Sequence, residues 1–450
     1  MEFALTVEYY DWLKEAIARD DAEAIKKSMK DIYAADITTL LYEFGEGDSK
    51  YVLDMLDAEL TAEVITNLEP EIRRKFLKNY SSTELARYID LADSDDAADI
   101  LHEQPIIVRE EVIALLSNPE QASNIVDLLR YEEDCAGGLM AKELMKANVN
   151  WTVKQCIEEI RRQAENVEKV YSVYVINDEG VLLGRVSLKK IIISNDKTKI
   201  ADIFEGDVIS VETYKKDVEV AEIMQKYDLE AIPVVNVQGK LLGRITIDDI
   251  VDVITEQAEL ERQAMSGISE NIEEDDSIWV LSRARLPWLI IGMMGGIIGA
   301  RLLNLYEADI IAIPAMSFFI PLIMATGGNV GIQSSSLVLQ SMAYRSAFEN
   351  TLFQRFVKMF FVALLNGLVI ATLVLGINIA FGQTVMLALV VSIALLSVVV
   401  LASFMGTITP IILDKFGVNP ALASGPFITT ANDIIGLAVY FGVAHLLIKH

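Results

Sequence analysis

Two spacings of apolar residues divide the chain. From Leu281 onward the apolar residues run almost unbroken in five blocks: Leu286–Tyr306, Ile310–Leu339, Phe356–Phe381, Val385–Leu413 and Ala421–Ile448. Each is long enough to cross a hydrocarbon core, which takes roughly 20 residues of helix. The second, fourth and fifth have residues to spare and are expected to tilt or bend. Before Leu281 the apolar residues are interleaved with polar ones. In residues 1–134 they recur at helical intervals in YVLDMLDAELTAEVITNL, EIRRKFLKNY and ELARYIDLA. Helix-start signals stand at Ser81-Ser82-Thr83-Glu84, Asp93-Ser94-Asp95-Asp96 and Ser117-Asn118-Pro119-Glu120. Helices this short need neighbours to bury their apolar faces, so stacked helical hairpins are predicted, without a strict period.

Residues 138 to about 257 change character and repeat. VYVINDEGVLLGRVSLKKII (Val173–Ile192) aligns with IPVVNVQGKLLGRITIDDIV (Ile232–Val251), so that Gly180 matches Gly239, Gly184 matches Gly243, and Ser187 matches Thr246. Each copy reads strand, turn, strand, helix, with a helix before it at Val153–Ala164 and Val218–Tyr227. This pattern resembles a tandem pair of CBS domains, at 138–199 and 200–257. The resemblance implies adenine-nucleotide binding at a turn that here comprises Gly243, Thr246 and Asp249. In the first copy Lys190 stands where the ribose-holding acid would be, so at most one complete site is implied. A pair serving mainly for dimerisation and relay is the other reading. A helix, DDIVDVITEQAELERQAM, then sets Asp249, Asp252, Glu256 and Glu259 on one face, and a polar acidic linker follows. A solvated helix face and a metal-binding stripe are both compatible with it.

Charge separates the halves further. From Leu281 there are 8 basic and 5 acidic residues, which leaves 30 basic and 60 acidic residues in the first 280. So acidic a body is a poor partner for nucleic acid, which needs clustered Lys and Arg, and a good one for cations. Cys135 and Cys156 form no metal-ligand spacing. The N-terminus lacks a basic segment followed by an apolar one, so the soluble part is expected in the cytosol. Arg283, Arg285, Arg345, Arg355, Lys358 and Lys415 then share the cytosolic side, and the C-terminus is external. Arg301 is the exception.

Two of the apolar blocks carry polar groups. The second holds Gly327, Gly328 and Gly331 with Asn329, Gln333, Ser334, Ser335 and Ser336. The fifth begins NPALASGPFITTAND, where Gly425-Pro426 is expected to free backbone carbonyls near mid-membrane. Asp433 is the one acid well inside any block, and Thr429 stands one helical turn before it. A carboxylate at that depth costs several kcal/mol unless water, protein or a cation compensates it. No Lys, Arg or His lies at a comparable depth to pair with it. The candidate ligands are Asp433, Thr429, Asn329 and Gly425; glycines and hydroxyls that only pack helices, with Asp433 protonated or hydrogen-bonded to a neighbour, are the other reading. The four candidates are oxygen donors, which suit a hard, partly hydrated cation. No thiolate or imidazole is there to suit zinc or copper.

The chain as a whole resembles the MgtE family of magnesium transporters and channels. The resemblance rests on DSDDAADIL (Asp93–Leu101), RLPWL (Arg285–Leu289), GGNVGIQS (Gly327–Ser334) and NPALASGPFITTANDIIGLAVYF (Asn419–Phe441). It implies a multidomain membrane protein with a superhelical α-helical N-domain (1–134), a tandem α/β CBS pair, a connecting gating helix with its linker (248–277), and a five-helix transmembrane domain (281–450). It implies a homodimer in a cell membrane, with a pore between the two copies of the second and fifth spans. Asp433 would be the principal selectivity residue. Magnesium would be both cargo and regulator, moving down its gradient, with no catalysis. Cytosolic magnesium would hold the gate shut through acids matching Asp95, Asp99, Asp228, Asp249, Asp252 and Glu261, with Glu63 beside them and Glu256 and Glu259 on the helical stripe. ATP at the CBS pair is the remaining cofactor expectation. Lys215, Lys216, Gln257, Leu260 and Asn419 stand where relatives are often acidic, which puts the strength of feedback in question. A transporter of cobalt, nickel or calcium, and a membrane-anchored sensor of magnesium or nucleotide, are the alternatives.

Overall fold

The computed structural model describes residues 6–163, 172–269, 271–272, 276–343, 352–423 and 425–448. The chain divides into two compact units, Met1–Ile254 and Thr255–His450.

The first unit begins with ten short helices: α1 (Val7–Ala18), α2 (Ala22–Met29), α3 (Ala34–Leu41), α4 (Glu46–Met55), α5 (Ala58–Thr66), α6 (Pro70–Leu77), α7 (Ser82–Ile89), α8 (Ser94–His102), α9 (Ile106–Leu115) and α10 (Pro119–Leu128). Their starts follow local chemistry. Ser81 and Glu84 form a reciprocal capping box on α7. The Asn118 side chain caps α10 ahead of Pro119 at the first helical position. Packing then skips one helix at a time: α3 lies on α5, α5 on α7, and α7 on α9, while α8 meets α6 and α10. This stack buries Leu13, Ile37, Leu53, Ile65, Ile89 and Leu101 in one continuous core. No single helix of eight to twelve residues could bury such a face alone.

Two three-stranded sheets follow, ordered β1 (Met145–Asn148), β2 (Val173–Ile176), β3 (Leu182–Val186), and β4 (Val211–Glu212), β5 (Ala231–Val235), β6 (Leu241–Thr246). In each, the first pair is parallel and the second antiparallel. The predicted hairpins are present, with Gly180 at φ +82° and Gly239 at φ +75° in their turns. The leading strands β1 and β4 were not expected. They are four and two residues long, and β1 reads MKAN, too short and polar to show alternation. The helices are α11 (Val153–Gln163), α12 (Leu188–Ile193), α13 (Asp217–Lys226) and α14 (Ile247–Met265).

Among the described residues, the second unit holds five helices long and apolar enough to cross a membrane. They belong to α15 (Ile278–Leu305), α17 (Ile320–Ala343), α18 (Leu352–Ala380), α19 (Val385–Lys415) and α20 (Pro426–Ile448), with the short α16 (Glu307–Ala312) before α17. α19 is the central helix, packed on α17, α18 and α20. Three expected boundaries move. The first span starts earlier, and Pro287 lies inside its helix. The second block is broken, with a 3-10 turn at Pro314–Phe319 between α16 and α17. The fifth helix starts at Pro426, after a separate 3-10 turn at Pro420–Ala423. The predicted cytosolic residue Arg345 lies outside the described residues.

Candidate functional site

Glycines let α20 approach its neighbours closely. A Cβ on Gly331 of α17 would collide with the Asn432 amide and with Ile428, and one on Gly295 of α15 would collide with Thr430. A Cβ on Gly328 would lie 3.4 Å from Thr429 Cγ2, so that glycine also faces α20. Asn432 is 2% exposed, and neither its Nδ2 nor its Oδ1 has a partner among the described residues. These contacts rotate Thr430 toward α15 and Asn432 toward α17. Asp433 keeps partial exposure, and Asn329 is exposed on the single chain. Among the described residues Asp433 makes no hydrogen bond or ion pair. At 1.5 Å per residue it stands about 10 Å into a helix about 34 Å long.

Gly425 requires a correction. Pro426 begins a helix and does not break one, because its missing N–H is unneeded at the first helical position. The Gly425 carbonyl is not freed: it accepts from the Thr429 N–H at 3.3 Å and from Thr429 Oγ1 at 3.4 Å. It also lies at the end of the span, not at its middle. What crowds Gly425 is the end of α14. A Cβ there would strike the Met265 carbonyl, and Gly267, at φ +79°, abuts Pro426. The α14 terminus is therefore seated on the start of the helix that carries Asp433.

The acids of the first unit gather in part. Burial raises the Asp95 carboxyl well above the usual range, with Asp96, Asp249, Glu143 and Asp93 adding repulsion. Burial likewise pushes Asp96 and Asp99 up to about 7. Asp249 and Asp252 are raised too, again mainly by burial. Asp99 is ringed by protein yet open to water, so an ion can reach it. Among the described residues no three His, Cys, Asp or Glu side chains converge to grip a metal directly.

Other expected acids stand apart. Glu63 is exposed on α5, and Asp228 is exposed after α13 at φ +50°. Glu256, Glu259 and Glu261 are exposed along α14, where Gln257 donates to Glu261 at 3.1 Å. Lys215 pairs with Glu219, Lys216 with Asp134, and Asn419 caps Ala421. Sequence reasoning missed Arg73. Its buried guanidinium grips Glu103 and the Thr66 carbonyl, and it partly offsets the repulsion on Asp96 and Asp99. Nothing in its local sequence marks it.

At the nucleotide turn, Thr246 donates its N–H at 3.0 Å and its hydroxyl at 2.7 Å to Asp249 Oδ2. Gly243 sits against the Ala141 carbonyl. The proposed ribose acid is thus engaged with the start of its own helix.

Known proteins share this arrangement. Residues 32–134 match the MgtE intracellular N domain, residues 136–194 and 200–256 the CBS domain, and residues 320–443 the MgtE divalent cation transporter domain. The magnesium transporter MgtE of Thermus thermophilus is 32% identical over 446 residues, spanning 97% of this chain and 98% of its own. The chain belongs to the MgtE family. The MgtE of Bacillus subtilis is 30% identical over 91% of this chain and 90% of its own. A crystal structure of the cytosolic domain of the Mg2+ channel MgtE in complex with ATP matches with a TM-score of 0.51 at 32% identity, over 54% of this chain and 99% of that one. As an MgtE transporter the protein is a multi-pass membrane protein.

Proposed function

We propose that this chain carries magnesium across a cell membrane, down its gradient, and that cytosolic magnesium closes the path. The carrying observation is Asp433: a carboxylate with no partner among the described residues, partly exposed, well inside a span, with Thr429 one turn before it. A lone acid coordinates a divalent ion thinly, so two chains would face each other and supply two. Thr429 and Asn329 would add oxygen ligands or hold the ion's water. Gly425 is better read as the seat of α14 than as a ligand. The protein is read as an ion pathway, not a catalyst.

Regulation would rest on the acids. Bare, Asp95, Asp96 and Asp249 repel one another and Asp96 repels Asp99, and magnesium between them would remove that repulsion. Glu63, Asp228, Asp252, Glu256, Glu259 and Glu261 are proposed as the wider set, with residues 1–134, 138–199, 200–257, 248–277 and 281–450 as the working domains. An ion shifts the gate only by its preference for the closed arrangement. ATP would bind the second CBS copy at Gly243, Thr246 and Asp249, once Asp249 turns from Thr246. The N-terminal domains would lie in the cytosol and the C-terminus outside.

The test is magnesium flux in liposomes, with wild type against Asp433→Asn at low and high magnesium on the soluble-domain side. Loss of flux in the variant, and wild-type flux that falls as soluble-side magnesium rises, are expected. Flux that persists unchanged in Asp433→Asn would move the selectivity site elsewhere. Competition by cobalt, nickel and calcium reads the choice of ion.

A further inference from the structure

The acids of α8 do not meet Asp249 by chance of packing; a short segment fastens both. Ser94, the first residue of α8, is fully buried. Its hydroxyl donates to Glu143 Oε2 at 2.7 Å and its N–H to the same oxygen at 3.3 Å. The Lys142 N–H donates back to Ser94 Oγ at 2.9 Å. One residue earlier, Ala141 exchanges both backbone hydrogen bonds with Arg244, at 2.8 and 2.9 Å. Arg244 lies in β6, two residues before Thr246, which holds Asp249. The chain of contacts therefore runs α8, Ser94, Glu143 and Lys142, Ala141, β6, Thr246, Asp249, and on into α14.

The geometry points to Ser94 and Glu143 as a positioning latch that sets the distance between the α8 acids and Asp249, and with it the magnesium concentration at which the gate closes. This rests on the regulatory reading above. Neither residue needs to touch the ion. Glu143 is the anchor because its one oxygen takes two donors from the turn that begins α8. Three bonds on one turn leave that helix little freedom to rotate.

The experiment uses the full chain in liposomes, with Ser94→Ala, Glu143→Ala, Glu143→Gln and the double variant Ser94→Ala/Glu143→Ala. Flux at the lowest soluble-side magnesium should stay at the wild-type level, because no residue of the pathway is altered. The half-closing magnesium concentration should rise about fivefold or more in each alanine variant, in the range of ordinary coupling between sites. The double variant should be no worse than the poorer single one, since both break the same contact. Glu143→Gln keeps an acceptor oxygen without the charge and should stay close to wild type. A Glu143→Gln as impaired as Glu143→Ala would overturn the latch in favour of a purely electrostatic role. Hydrogen exchange of the Ser94 amide, read without magnesium, should speed up in Glu143→Ala; an unchanged rate also overturns the latch. A wild type that magnesium never closes would overturn the regulatory reading and the latch's role with it. A wild type that closes, beside alanine variants with unshifted midpoints, overturns the latch alone.

Discussion

The two CBS copies share one fold and differ in what their last helix does. In the first copy Ser187 caps α12, which ends after six residues, and Lys190 reaches out to Glu205 at 3.0 Å. In the second copy Thr246 precedes α14, which continues for 19 residues and carries, at the place of Lys190, the Asp249 carboxylate that accepts from Thr246. The cores match, with Val173, Val175 and Val186 in one and Ile232, Val234 and Ile245 in the other. The backbone crossings match as well: Glu205 bridges to Arg185, and Ala141 to Arg244, so each entering segment is pinned to the other copy. The fold therefore tolerates either sign of charge at this helix position. In the second copy the acid stands near Asp95 and Asp96 of α8 and adds to the repulsion on them.

Exchanging the two charges is the sharpest way to break this comparison. Asp249→Lys places an ammonium among Asp95, Asp96 and their neighbours, where a cation is otherwise needed. Repulsion in the bare state is then relieved without magnesium. Flux through the full chain in liposomes should lose its dependence on soluble-side magnesium, giving a flat response. Lys190→Asp loses an exposed pair with Glu205 and sets a second carboxylate beside it, both open to solvent that screens them, and should leave the magnesium midpoint within about twofold. Equal effects of the two exchanges would mean that the copies are regulatory equals.

The scaffold shared by the copies is tested at the glycines. A Cβ at Gly243 would lie 2.6 Å from the Ala141 carbonyl, and one at Gly184 would strike the Glu205 carbonyl. Both obstacles are hydrogen-bonded backbone, which cannot turn aside as a side chain can. Gly184→Ala and Gly243→Ala should each destabilise the protein by about 1–3 kcal/mol, as overpacking does, seen as a lower midpoint of thermal unfolding. Similar losses in both would confirm the symmetry of the scaffold; a loss in one alone would show that the other crossing can yield.

These glycines also show how much of the molecule was legible. The 59-residue match of Gly184 to Gly243 was visible in the sequence, but its reason was not, because the carbonyl each one meets, of Glu205 or of Ala141, belongs to the segment entering the other copy. Long apolar runs identified the spans, since a membrane imposes one length on every helix. The ends of those spans were less legible. At Gly425-Pro426 the same two residues are compatible with a kink inside a helix and with the start of one, and the separate 3-10 turn at Pro420–Ala423, with α20 beginning at Pro426, decides it. Asp433 stood out because its cost is local. The latch at Ser94 and Glu143 did not: serine before DDAAD reads as an ordinary helix start, and nothing near Glu143 marks its partner 49 residues away.

The smallest difference between the copies lies in the residue before the last helix. Ser187 accepts from the Lys190 N–H at 3.3 Å and holds only its own helix. Thr246 instead gives its N–H and hydroxyl to Asp249, so it also decides where that carboxylate points. Ser187→Ala loses a cap and Thr246→Val a side-chain hydrogen bond, and each should lower stability by about 1 kcal/mol. Their stabilities would then be alike while their regulation differs. Only Thr246→Val removes the shorter of the two bonds on Asp249, so only it should alter magnesium closure, and its measured half-closing concentration should move by about two- to fivefold, the yield of one such bond at 0.5–1 kcal/mol. If Ser187→Ala moved the midpoint as far, the cap would be acting through fold stability alone, and the regulatory distinction between the copies would rest on the charge of one side chain.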